Sequence, residues 1–259
     1  MSKVKKSFLI DMDGVLVHGS RPIPGARDFI RALLEQERKF LVVTNNALYT
    51  TRDLAHLLQV AELDIPEENI YTSAVATAKF LEDQLPEGKA FVIGEVGLTE
   101  AIHRIGYVQT PVNPDYVVLG DTTSYSFDQI TIAIRLINNG ARFIATNPDL
   151  TGPGEQGIVP ATGAMAALIE AATGKAPLYI GKPNTLMMRS ALNQLGVHSE
   201  DSYMIGDNMR TDILAGISAG METVLVMNGV TKKSDVSNFP YRPKYVFDSV
   251  GNIKIEDLD

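Results

Sequence analysis

The chain has no cysteine, only four histidines among 259 residues and no long apolar run. Without cysteine there is no disulfide framework, no thiol catalysis and no Cys-ligated zinc, and the composition suits a reducing cytoplasm, where we expect the protein to work. His18, His56, His103 and His198 show no paired ligand spacing, so surface or structural roles are expected of them. No apolar stretch approaches the roughly 18 to 20 residues of a membrane span. The basic start, Met1-Ser2-Lys3-Val4-Lys5-Lys6-Ser7, leads into an apolar run that Asp11 interrupts at once, so no export signal is expected. Positive charge is also short: 23 Lys and Arg against 31 Asp and Glu give a net charge of −8. That balance argues against a nucleic-acid polymer as partner, and any anionic substrate has to be met by local positive charge.

What is present reads as an ordinary globular protein, long enough for two domains. Phe8-Leu9-Ile10 is a buried strand, Ala26, Phe29, Ile30, Leu33 and Leu34 recur at helical spacing, and Phe40-Leu41-Val42-Val43 is a second strand. Strands and helices go on alternating, which predicts a parallel sheet. After Pro86-Glu87-Gly88 a second α/β pattern begins. It includes strands at Phe91–Gly94, Tyr116–Gly120 and Phe143–Ala145, and a helix opened by the capping box Ser126-x-x-Gln129. From Leu178 the first pattern is expected to resume, with strands at Leu178–Gly181, Tyr203–Gly206, Thr223–Val226 and Tyr245–Phe247 and a helix from Thr211 to Ala219. The expected architecture is a Rossmann-like, doubly wound parallel sheet core in two pieces, 1–87 and 178–259, with an α/β domain, 88–177, inserted between them.

The first strand delivers Asp11 and Asp13 into a glycine turn, Asp11-Met12-Asp13-Gly14. Two carboxylates that close repel by roughly 4 kcal/mol at about 4 Å in an effective dielectric near 20, so a positive partner is required. In open parallel sheets functional groups gather at the carboxyl ends of strands. Three further predicted strand ends carry matching chemistry: Thr44-Asn45, Lys182 and Asp207, with Asp212 five positions beyond Asp207. Each alone has an ordinary reading, Thr44-Asn45-Asn46 and Gly206-Asp207-Asn208 as turns, Lys182 as a solvated side chain, Asp212 as a charge at a helix start. Together they suit phosphoryl transfer to an aspartate. Asp11 attacks phosphorus, Asp13 protonates the leaving oxygen and then deprotonates water, and Lys182 and Thr44 hold phosphoryl oxygens. An oxygen-only donor set of this kind suits Mg²⁺.

These residues resemble the four ordered motifs of the haloacid dehalogenase (HAD) superfamily: Asp11-Met12-Asp13-Gly14-Val15, Thr44-Asn45, Lys182-Pro183 and Gly206-Asp207-Asn208-x-x-Thr211-Asp212-Ile213. Thr146-Asn147-Pro148-Asp149, Gly181-Lys182-Pro183 and Asn208–Gly216 resemble more closely the NagD-like phosphatases. The resemblance implies Asp11 as nucleophile, Asp13 as general acid and base, and Thr44, Asn45 and Lys182 as phosphate contacts. It also implies Mg²⁺ held by Asp11, the Asp13 carbonyl and Asp207, with Asp212 a ligand directly or through water. The stretch from Gly14 to Gly25 is too short for a folded cap, so the insert near 88–177 resembles the larger α/β cap of that group. The expected substrates are small phosphorylated metabolites, nucleoside monophosphates or sugar phosphates, and the expected state is a monomer or homo-oligomer. A non-catalytic phosphate-ligand sensor on the same fold is the alternative.

Gly152-Pro153-Gly154-Glu155-Gln156-Gly157 satisfies G-x-G-x-x-G, but Glu155 would face a pyrophosphate and no helix opens after it, so a cap loop is expected there. Asn147 and Asp149, just before it, are candidates for substrate contact or for a structural turn.

Overall fold

In the computed structural model, which describes residues 5–154 and 157–258, the chain divides into two compact units. Of the described residues, the first takes those of Met1–Thr44, Thr51–Tyr71 and Lys182–Asp259, the second those of Asn45–Thr50 and Thr72–Gly181. No helix among the described residues is long and apolar enough to cross a membrane.

The first unit is built on a six-stranded sheet in the order Tyr245–Phe247, Glu222–Val226, Ser202–Gly206, Ser7–Ile10, Phe40–Thr44 and Ile70–Thr72. Ser7–Ile10 pairs in parallel with the strand on either side. From it the chain moves outward one way to Phe40–Thr44 and Ile70–Thr72, then later adds three strands on the other side. The first strand therefore lies at the topological switch point, where open α/β sheets hold their ligands. Side chains alternate between the two faces with period two. Phe8, Ile10, Phe40, Val42, Tyr203, Ile205, Val224 and Val226 share one cluster with Phe29, Ile30 and Leu33 of helix Ala26–Glu35 and Leu54 and Leu58 of helix Thr51–Val60. Leu9, Leu41, Val43 and Met204, of opposite parity, are equally buried. Burial on both faces explains why these strands read as continuous apolar runs.

The register places the chemistry. Ile10 lies opposite Ile205 and Val42, so Asp11, Asp207 and Thr44, one or two residues further on, lie at the same carboxyl-terminal end of the sheet.

The second unit carries a five-stranded parallel sheet in the order Leu178–Tyr179, Arg142–Ala145, Tyr116–Leu119, Lys89–Ile93 and Val108–Gln109. Its core joins Ile93, Val117, Leu119 and Phe143 to Ile130, Ala133 and Ile137 of helix Phe127–Asn138 and Ala166 and Ile169 of helix Thr162–Thr173. Ser126 caps the former helix as its spacing predicts, its side chain accepting from the Gln129 N–H at 3.1 Å.

Two expectations need correction. The strand at Leu178 does not resume the first sheet: Leu178 and Tyr179 lie opposite Ile144 and Ala145, at the edge of the second sheet. An edge strand this short is placed by backbone pairing, which its sequence does not encode. The helix expected from Thr211 to Ala219 is instead a turn of π-helix, Met209–Ile213, followed by the short α-helix Leu214–Ser218. The glycine-rich stretch runs through an antiparallel hairpin, Thr151–Gly154 with Gly157–Pro160; Glu155 and Gln156 lie outside the described residues. The following helix starts only at Thr162, so among the described residues no helix opens directly after the glycine-rich stretch, as a dinucleotide site requires.

Candidate active site

Asp11 leaves the central strand with its N–H on the Ile205 carbonyl (2.9 Å). Its carboxylate is buried, and both of its hydrogen bonds fall on Oδ1, from the Met12 N–H (2.8 Å) and the Lys182 ammonium (2.7 Å). Gly14 ends the motif at φ +80°, and a Cβ there would lie 2.4 Å from Asp207 Oδ2. The glycine is thus required both by its backbone conformation and by the carboxylate beside it. Asp13 is exposed.

The Lys182 ammonium is buried and donates three hydrogen bonds, to Asp11 Oδ1 (2.7 Å), Asp212 Oδ1 (2.7 Å) and the Val43 carbonyl (3.0 Å). The last ties it to the end of strand Phe40–Thr44, where Thr44 is buried. Asp212 reaches Lys182 because the π-turn brings it back onto Gly206, where any Cβ would lie 2.1 Å from the Asp212 Cβ. Its other oxygen, Oδ2, accepts from the Asn208 N–H (3.1 Å). Both Asp212 oxygens are therefore engaged.

Asp207 is held by a segment that sequence reasoning passed over. Asp207 Oδ2 accepts from the Val230 N–H (2.7 Å), the Thr231 N–H donates to the Asp207 carbonyl (3.2 Å), and Thr231 Oγ1 accepts from the Met209 N–H (3.0 Å). Gly229 passes so close that a Cβ would sit 1.7 Å from Asp207 Oδ2. The available signal was position, since this loop follows strand Glu222–Val226, whose end opens at the same edge.

The cluster is electrically strained. Asp11, Asp207 and Asp212 each present a carboxylate oxygen within 4.8 Å of the others. Burial pushes the Asp11 carboxyl well above its ordinary range; Asp212 and Asp207 add to the rise, and Lys182 opposes it. Burial, then Asp212, pushes Asp207 up to about 6. Although Asp13 as a whole residue is exposed, crowding of its carboxyl by the surrounding protein also raises it, against the pull of Lys182 and His18. Burial would lower Lys182, yet Asp11 and Asp212 hold it above the usual lysine range. One ammonium does not offset these carboxylates, and hard oxygen donors at this spacing fit a divalent cation.

Asn45, Asn147 and Asp149 lie in the second unit, where the structure joins them. Asn45 Nδ2 donates to Asp149 Oδ2 (2.9 Å), Asn147 Nδ2 donates to the Asn45 carbonyl (3.2 Å), and the Asp149 N–H donates to Asn147 Oδ1 (3.1 Å). Two partners were not anticipated: Asp121, which accepts from Asn147 Nδ2 (3.0 Å), and Ser73, whose hydroxyl donates to the Asn45 carbonyl (2.7 Å). The four histidines are all exposed.

Comparison with known proteins places the chain in a family. A family model described as haloacid dehalogenase-like hydrolase matches residues 8–108, and a HAD-hydrolase-like model matches 179–253. The chain is 53% identical to a dihydroxyacetone phosphatase of Corynebacterium glutamicum (strain R), over 96% of this chain and 91% of that one. It is 43% identical to the ribonucleotide monophosphatase NagD of Escherichia coli (strain K12), over 96% and 98%. The solved structure of NagD from E. coli K-12 superposes with a TM-score of 0.92 over 96% of this chain and 98% of that one, at 42% identity. Identity at this level over nearly the whole length, with the motif residues gathered at one sheet edge, makes the chain a member of the haloacid dehalogenase-like hydrolases, among the NagD-like phosphoric monoester hydrolases.

Proposed function

We propose that the chain hydrolyses small phosphate monoesters through a phosphorylated Asp11. The observation that carries the reading is the buried Lys182 ammonium, 2.7 Å from the Asp11 carboxylate inside an acidic cluster. An Asp11 oxygen attacks phosphorus in line as the ester P–O bond breaks, and Asp13 gives its proton to the departing alkoxide. Asp13, now a carboxylate, takes a proton from water; the hydroxide cleaves the acyl phosphate, freeing inorganic phosphate and restoring Asp11. The raised Asp13 carboxyl favours the protonated form that the first step needs. Lys182, Thr44 and Asn45 are read as the phosphate contacts. Asp11, Asp207 and the Asp13 carbonyl would hold Mg²⁺, with Asp212 acting through Lys182 or through water. The cation, when bound, offsets the charge of carboxylates and phosphate that would otherwise repel one another.

The second unit is read as the cap of this enzyme group, the part that varies with the leaving group. The relatives' names point to two substrate classes, ribonucleoside monophosphates and a triose phosphate. The test is phosphate release from a panel of nucleoside monophosphates, triose and hexose phosphates and p-nitrophenyl phosphate, with Mg²⁺ and with chelator. Release that needs Mg²⁺ and disappears in Asp11→Asn is expected; no release from any ester, or undiminished release by Asp11→Asn, overturns the reading.

A further inference from the structure

Two of the four places where the chain passes from one unit to the other adjoin proposed phosphate contacts: Thr44 is followed by Asn45, and Lys182 is preceded by Gly181. Both second-unit residues are tied into one knot of side chains. The Asn45 carbonyl accepts from Ser73 Oγ (2.7 Å) and Asn147 Nδ2 (3.2 Å). The Gly181 N–H donates to the Thr146 carbonyl (2.7 Å), and a Cβ on Gly181 would lie 2.5 Å from that oxygen and 2.6 Å from Asn45 Oδ1. Asn147 is 1% exposed and Ser73 fully buried. A side chain so enclosed, with its amide nitrogen on Asp121, Asn45 and Thr146 and its oxygen on the Asp149 N–H, is suited to hold the chain and has no surface for a ligand.

Asp121 orients the knot. Asp121 Oδ2 accepts from Asn147 Nδ2 (3.0 Å), while Oδ1 accepts from the N–H (3.0 Å) and hydroxyl (2.5 Å) of Thr162, the first residue of helix Thr162–Thr173. A carboxylate is acceptor-only, so it admits one orientation of the Asn147 amide, nitrogen toward Asp121 and hence toward the Asn45 carbonyl. Its bonds are charge-assisted, and one end is anchored on a helix N-terminus.

We propose that Asp121 is a positioning residue for phosphate binding: through Asn147 it holds the Asn45 backbone, and with it the Asn45 side chain read as a phosphate contact. The proposal rests on reading Asn45 as a phosphate contact, and it makes Asn147 a support for Asn45 and not a substrate ligand.

Asp121→Asn is the informative variant, because the asparagine keeps an acceptor for Thr162 but turns an N–H toward the Asn147 amide. The expected result is that KM for p-nitrophenyl phosphate and the inhibition constant of inorganic phosphate rise together by about tenfold, as for loss of one charged hydrogen bond, with kcat changed much less. Asn147→Ala shifts both constants the same way, and the double variant is no worse than the poorer single one. Ser73→Ala, a milder change at the same carbonyl, gives a smaller shift in the same direction and keeps the test open if Asp121→Asn folds poorly. Unchanged phosphate inhibition in Asp121→Asn and Ser73→Ala, or additive losses in the double variant, overturns the proposal. Asn45→Ala separates the two readings. If it weakens phosphate while Asp121→Asn does not, the positioning role alone falls; if it leaves phosphate inhibition unchanged, the phosphate-contact reading of Asn45 falls, and this inference with it.

Discussion

The Lys182 ammonium bridges Asp11 and Asp212 at 2.7 Å each, joining the end of the first strand to a π-turn that lies 201 positions further along the chain. The bridge is closed on every side, with Val43 taking the third N–H bond. Removing one partner of a buried ion pair strands the other charges, typically by about 3 to 5 kcal/mol. Lys182→Met is therefore expected to lose about that much stability by urea unfolding in chelator, to regain part of it with Mg²⁺, and to lose about 100-fold or more in kcat/KM. A variant as stable as wild type in chelator would show that the ammonium is not what balances the cluster.

Asp11 and Asp13 have different proposed tasks, and leaving groups can tell them apart. Asp11→Asn removes the nucleophile and is expected to lower phosphate release by about four orders of magnitude or more on every ester. Asp13→Asn removes an acid, an effect of about 10²- to 10⁴-fold where the leaving oxygen needs a proton. Nitrophenolate leaves without one, so Asp13→Asn should retain a larger share of activity on p-nitrophenyl phosphate than on a sugar phosphate. Equal losses on both esters contradict the acid role.

Acidity sets a third expectation, for the cation-free protein. Asp207 is pushed up to about 6 when folded, against about 3.9 for an unfolded aspartate. Between those values the folded state keeps a proton that the unfolded state has lost, so stability falls as pH rises through about 6, by on the order of 3 kcal/mol for this group. The raised Asp11 carboxyl acts in the same direction. In chelator, Asp207→Asn should gain stability relative to wild type on going from pH 5 to pH 7.5, read from urea midpoints. Mg²⁺ should raise the wild-type midpoint more at pH 7.5 than at pH 5. A constant difference between the two proteins across this range rejects the account.

Gly229 makes no hydrogen bond to substrate in any reading, yet a Cβ there would stand 1.7 Å from Asp207 Oδ2. Gly229→Ala must displace either the loop or the carboxylate, and with it the Val230 N–H bond. The Mg²⁺ concentration for half-maximal activity is expected to rise by about 10- to 100-fold, the usual effect of disturbing the support of a metal ligand. An unaltered Mg²⁺ requirement would place Asp207 outside the cation site.

Local pattern determined a good deal. Apolar runs ending in Asp11, Thr44 and Asp207 mark three strands of the first sheet, because a strand buried on both faces is apolar along its length and turns polar only where it ends. The periodicity of Ala26, Phe29, Ile30 and Leu33 marks a helix, and Asp11-Met12-Asp13-Gly14 marks a place where charge needs a partner. What followed Leu178 and Asp207 was not legible in this way. Leu178–Tyr179 has the composition of any strand, and only its register against Ile144 and Ala145 places it in the second sheet. Helix Ser73–Gln84 likewise belongs with the second unit through packing, with the Tyr107 hydroxyl on the Leu81 and Leu85 carbonyls. The stretch Met227–Thr231 around Gly229 carries no charged side chain to draw attention, because it holds Asp207 through a backbone N–H and the absence of a Cβ. Sequence by itself determined which residues are proposed to bear the chemistry and that carboxylates so close call for positive charge among them. Tertiary structure decided which carboxylate each donor meets: that Lys182 binds Asp11 and Asp212, that Val230 holds Asp207, and that Asp121 reaches Asn45 through Asn147. Those pairings join residues far apart in the chain, and only the register of the sheets and the packing of the turns bring them within hydrogen-bonding distance.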